Sequence, residues 1–89
     1  MGELSETLRA ELARLGLDIT DEVGLRQALE RYVPSYSLIR LNTIAAKRWK
    51  CRYRLLLGTD YYDAQTAAEA YARGIVAALA ARSAAEDRS

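Results

Sequence analysis

The chain has no histidine and no phenylalanine, and only one cysteine, one proline and one methionine in 89 residues. Without histidine it lacks the side chain that most often serves as general acid, general base and metal ligand near neutral pH. Cys51 stands alone, so there is no intrachain disulfide and no cysteine cluster for zinc or iron–sulfur. Asp60 and Asp63 form the only close acid pair near the middle segment, and they fall on a turn. A carboxylate pair for acid–base work needs an enclosed site that raises one pKa, so turn formation and helix capping explain these two better. The expectations are therefore no catalytic residue, no metal and no cofactor. No run approaches the roughly 18 apolar residues of a membrane span. Residues 1–8 carry Glu3 and Glu6 and no apolar stretch, which predicts no signal peptide. A single unpaired thiol fits a reducing compartment, and the expected location is cytoplasmic. The abundance of Arg, Ala and Leu suggests a bacterial or phage source.

What is present is an ordinary globular mix, 51% hydrophobic and 28% charged, enough for one small domain over residues 1–89. The formal charge of +1 hides an uneven distribution. Residues 1–33 carry a net −3, residues 34–59 a net +6 with no acid, and residues 60–89 a net −2. A near-neutral chain with its positive charge in one segment can attract a polyanion locally.

Periodicity divides the chain into three parts. Leu4, Leu8, Leu12 and Leu15 recur at helical spacing behind a Ser5 cap, and Gly16 suits the position after the helix. Thr20, followed by Asp21 and Glu22, predicts a second helix with Leu25, Ala28, Leu29 and Tyr32 inward, ended by Val33-Pro34. Together residues 1–33 read as a helical hairpin. Residues 36–62 read as an antiparallel β section: a strand from Ser37 to Thr43, a second through Arg48–Leu57, a turn at Gly58-Thr59-Asp60, and a short third strand at Tyr61-Tyr62. Residues 64–83 predict a C-terminal helix capped by Thr66 with Glu69, its stripe being Tyr71, Ile75, Ala78 and Leu79, followed by a frayed tail over 84–89. The predicted fold is α+β in the order α-α-β-β-(β)-α. A small antiparallel sheet lies under the C-terminal helix, with Trp49, Cys51 and Tyr53 facing that helix.

The second strand carries the main functional signal. Arg48, Lys50, Arg52 and Arg54 alternate with Trp49, Cys51, Tyr53 and Leu55. On one strand face the four cations would stand about 7 Å apart, a spacing that follows a phosphate backbone. Arg40 and Lys47 support the patch. Asn42, if register places it on the same face, would be a base reader, and Tyr36 and Tyr61 flank the sheet as stacking candidates. The competing reading is a solvated sheet face charged against edge pairing, although such a face normally mixes in acids. A further alternative ties these arginines to Asp21, Glu22 or Glu30 of the hairpin. The first two helices could be a helix-turn-helix, but Asp21, Glu22 and Glu30 would repel phosphates, so a packed hairpin is preferred. Ala70, Gly74 and Ala78 form a small-residue row suited to close packing on the sheet, or else to self-association.

Trp49, the basic strand, Gly58, Tyr62-Asp63 and Ala67-Ala68-Glu69-Ala70-Tyr71 give residues 47–82 a pattern that resembles two kinds of β-sheet DNA reader. These are the plant ethylene-response-factor type and the arm-binding domain of tyrosine recombinases. The resemblance implies a small sheet set in the major groove and backed by a helix. The short second hairpin and the N-terminal helix pair depart from it.

The expected function is that of a small non-enzymatic binding module that engages nucleic acid through Arg40, Lys47, Arg48, Lys50, Arg52 and Arg54, with a homodimer as the arrangement that would double the patch. The alternative is a regulator or inhibitor, of phage or immunity type, that docks the same face on an acidic protein. Neither reading involves a membrane.

Overall fold

The computed structural model describes residues 4–87; the side chains at 45, 49 and 83–87 lie outside that description. Seven elements follow in order: α1 (Glu6–Arg14), α2 (Glu22–Tyr32), β1 (Ser37–Arg40), α3 (Thr43–Trp49), β2 (Tyr53–Leu57), β3 (Asp60–Ala64) and α4 (Ala67–Asp87). The α+β class, the antiparallel sheet and its place against the last helix are as the sequence predicts. The added element is α3, inserted between the first two strands.

Local chemistry accounts for the helix ends. The Ser5 hydroxyl accepts from the Leu8 amide at 3.3 Å and caps α1. Asp21, not Thr20, caps α2, its carboxylate accepting from the Gly24 amide at 2.8 Å. A carboxylate at this position both pairs the orphan amide and suits the positive end of the helix. Val33-Pro34 ends α2 after Tyr32. Thr66 caps α4 through the Glu69 amide at 3.1 Å, and Glu69 pairs with Arg73 one turn on at 3.0 Å. Asp63, a rival cap in the sequence, lies in β3 instead. The helix α4 continues through Asp87, so residues 84–87 do not form the frayed tail expected of them; residues 88 and 89 lie outside the described chain.

The sheet order is β1-β2-β3, antiparallel throughout. Leu57 stands opposite Asp60, which leaves a two-residue connection of Gly58 and Thr59. Gly58 has φ +61°, the left-handed conformation that the first residue of such a tight hairpin requires. The inner sheet face carries Leu38, Tyr53, Leu55, Leu57, Tyr62 and Ala64 and packs into the main core. The outer face presents Ile39, Arg54, Leu56, Tyr61 and Asp63.

The core gathers on α4. Both α1 and α2 pack against it, as do β2 and β3. Leu12, Leu25, Leu29, Leu55 and Ile75 are fully buried. Gly74 lets the layers approach closely. A Cβ there would lie 2.5 Å from the Leu55 Cδ2 and 3.4 Å from the Leu29 and Leu57 methyls. The small-residue row of α4 thus serves packing on its own sheet and on α2.

Tyr36 closes the loop after α2. Its hydroxyl donates to the Glu30 carboxylate at 2.7 Å, and its ring meets Tyr71 edge-on with centroids 6.1 Å apart. Burial and the Glu30 bond push its pKa up to about 12 from an ordinary value near 10. Below pH 10 the phenol is protonated whether folded or unfolded, and its contribution is whole. Between pH 10 and 12 the unfolded chain gives up the proton and the folded one keeps it. Across that window stability falls. Tyr36→Phe is expected to remove about 1 kcal/mol at neutral pH and to flatten this part of the alkaline loss. Urea midpoints of the two proteins between pH 9 and 12 check it: parallel curves would contradict the assignment.

Candidate functional site

The basic segment does not form one strand. Thr43 to Trp49 is helical because Ala45, Ala46, Lys47 and Arg48 are all strong helix formers and the cations lie in the last turn, where the dipole favours them. Asn42 precedes the helix, its carbonyl accepting from the Ala46 amide at 2.8 Å. Lys50 then adopts φ +56°, a left-handed conformation that turns the chain out of α3. Its carbonyl accepts from the Gln65 side-chain amide at 2.6 Å, which holds the bend against the start of α4. Arg52 comes just before β2, yet it already joins the ladder. Its amide donates to Ala64 at 3.0 Å, and its carbonyl accepts from Leu41 at 2.8 Å. The expected row of Arg48, Lys50, Arg52 and Arg54 on one strand face is therefore corrected. Arg48 belongs to a helix, Lys50 to a turn, and Arg52 and Arg54 alone continue along the strand. Trp49 likewise ends α3 and is not part of the strand. Asn42 lies beyond the end of β1 and so is not on the strand face.

Arg54 is engaged within the sheet. Its Nε donates to Asp63 Oδ1 at 2.7 Å and its Nη2 to Oδ2 at 3.0 Å, directly across the β2–β3 ladder. The two-point geometry matches a guanidinium to a carboxylate. The guanidinium also lies 4.2 Å from the centre of the Tyr61 ring. The Arg54 bond holds the Asp63 carboxyl below the usual carboxylate range, against the opposing effect of burial. Cys51, 5% exposed, is buried as expected; it stands outside the main core cluster and beside this pair. Burial first, and then the Asp63 carboxylate, push its thiol up, which makes it a poor nucleophile. Arginine is thus paired to an acid, as one alternative held, but the acid is Asp63 of the neighbouring strand and not one of the hairpin carboxylates.

The remaining cations converge. Arg40 at the end of β1, Lys47 on α3, Lys50 at the bend and Arg52 at the mouth of β2 line a cleft of about 610 Å³. Thr43 and Gln65 add a hydroxyl and an amide, and Leu41, Ala46 and Cys51 supply its apolar wall. Among the described residues no carboxylate lines it. All four cations are exposed. Arg48 is exposed on α3 and does not line the cleft. Tyr36 is committed to Glu30 and Tyr71, and Tyr61, 55% exposed, stands on the outer sheet face beside Arg54. A hollow next to the cleft shares Arg52 and Gln65 with it and is lined by Asp21 and Glu22.

The sequence reading missed Thr43, Ile44 and Gln65. The signal for the first two was present: an alanine pair followed by Lys-Arg, with asparagine ahead of it, is a short helix as readily as a connection. Nothing local marks Gln65, whose partner is 15 residues away. Groups of histidine, cysteine and acids arranged to hold a metal ion are absent among the described residues. No helix among them is long and apolar enough to cross a membrane.

Comparison with protein-family models, curated proteins and solved structures finds no match.

Proposed function

We infer that this is a non-enzymatic binding module whose ligand is a nucleic acid, held at the cleft by Arg40, Lys47, Lys50 and Arg52. One observation carries the reading: four cations, one from β1, one from α3 and two from the connection between α3 and β2, border a single opening with no carboxylate among its described lining residues. Like charges repel, so such a convergence is unfavourable for the free protein and is relieved by an anion. A polyphosphate backbone is the anion that satisfies several cations at once, and binding it releases counterions. The absence of histidine and the raised thiol of Cys51 speak against catalysis at this place.

A second reading, a regulator docking on an acidic protein, draws support from Ile39 and Tyr61, which leave apolar surface on the outer sheet face. Salt titration separates the two. Fluorescence anisotropy with generic oligonucleotides should show sub-millimolar binding at about 50 mM salt. If all four cations meet phosphates, the log–log salt slope should be about −3.6 on duplex or about −2.8 on a single strand. Failure to bind any oligonucleotide at that salt concentration removes the nucleic-acid reading and leaves the protein partner.

A further inference from the structure

We propose that the cleft takes an unpaired nucleic-acid strand in preference to a duplex, its phosphates on Lys47, Lys50, Arg40 and Arg52 and a base against Ile44. The proposal rests on the nucleic-acid reading above and narrows it.

Shape is the first argument. The cations border a concave opening of about 610 Å³, within the range that encloses a compact organic ligand and so one or two nucleotide units. Duplex DNA presents its phosphates on a convex cylinder and is read by a helix or ribbon that projects into a groove about 12 Å wide. The ribbon available here is β2–β3, and its outward arginine, Arg54, is held by Asp63 across the ladder. A single strand, by contrast, can bend its backbone into a cleft.

Charge beside the cleft is the second. The adjoining hollow shares Arg52 and Gln65 with it and carries Asp21 and Glu22. A duplex resting over the cations would bring a second phosphate backbone toward these carboxylates. A single strand laid along the α3 side does not approach them.

Apolar surface is the third. Ile44 follows the cleft residue Thr43 and lies one turn before Lys47 and Arg48, so it stands on the flank of α3 beside the cleft and outside its lining. It is 80% exposed, the most open of the large hydrophobic side chains among the described residues. An unpaired base exposes a flat face that can cover it. In a duplex that face is stacked on its neighbours and out of reach.

The test uses the full chain and three probes: a short oligothymidine, a hairpin duplex with as many phosphates, and a free nucleoside monophosphate as competitor. At equal salt the single strand should bind about tenfold more tightly than the duplex, with a slope of about −2.8. Ile44→Ser removes an exposed group, so the fold should survive. It should weaken the single strand several-fold and leave the slope unchanged, because no phosphate contact is lost. Asp21→Asn with Glu22→Gln keeps the cap of α2 and should improve duplex binding selectively. Duplex binding equal to or tighter than that of the single strand overturns the proposal while leaving the nucleic-acid reading in place. So does an Ile44→Ser protein with unaltered affinity. Displacement of the strand by sub-millimolar mononucleotide would identify a nucleotide site and also overturn it. Binding of none of the three probes refutes the nucleic-acid reading itself.

Discussion

Leu55→Ala is expected to lower stability by about 2–5 kcal/mol, the range for truncating a fully buried leucine. Leu55 is 0% exposed and lies between the inner face of the sheet and α4. The sharper expectation concerns its partner. In the native chain Gly74→Ala places a methyl 2.5 Å from the Leu55 Cδ2, inside contact distance, and the neighbouring leucine methyls at 3.4 Å leave little room for retreat. Overpacking of this kind costs about 1–3 kcal/mol. Alanine returns about 1 kcal/mol because it is the better helix former. The net change should be neutral to destabilising by about 2 kcal/mol. With Leu55 already cut back to alanine the clash is gone, and the same Gly74→Ala change should stabilise by up to about 1 kcal/mol. A double-mutant cycle in urea reads the change of sign. Additivity across the cycle would mean that α4 does not approach β2 as closely as 2.5 Å implies.

The second large effect is on binding. Replacing Arg40, Lys47, Lys50 and Arg52 together by glutamine should weaken oligonucleotide binding by about a hundredfold or more at low salt and bring the salt slope close to zero. These four side chains are exposed and border one opening, so relieving their mutual repulsion should hold stability within about 0.5 kcal/mol or raise it slightly. Arg54→Gln should do the opposite. It leaves Asp63 and the buried Cys51 without the guanidinium between the strands, so stability should fall while oligonucleotide affinity is retained. Anisotropy and urea unfolding on the same two proteins check both halves. Equal losses of affinity in both would return the site to the strand face.

The contrast between Arg52 and Arg54 shows where the sequence was legible. Four of the helix and turn signals, Ser5, Pro34, Gly58 and Thr66, act within a few residues of themselves and stand where the pattern put them. The inward set of Tyr53 and Leu55 followed from alternation, and the sheet bears it out. The stretch from Ala45 to Lys50 was ambiguous because alternating cations also satisfy a helix, and the choice is made by the left-handed turn at Lys50 and its bond to Gln65. Positive φ at a lysine has no local sequence mark. The pairing of Arg54 with Asp63 depends on register across a hairpin, which places Asp63 and not a hairpin carboxylate opposite it. The segment 34–59 was rightly marked as the concentration of positive charge, but only three-dimensional placement separates the cations at the cleft from the one that ties the sheet together.

An amide chemical-shift titration with oligothymidine locates directly where a strand of nucleic acid touches the protein. Changes should be confined to Arg40, Leu41, Thr43, Ile44, Lys47, Lys50 and Arg52, together with the side-chain amide of Gln65, which reports on the Lys50 bend. Changes centred instead on Ile39, Leu56 and Tyr61 of the outer sheet face, with the Gln65 amide unmoved, would contradict binding at the cleft.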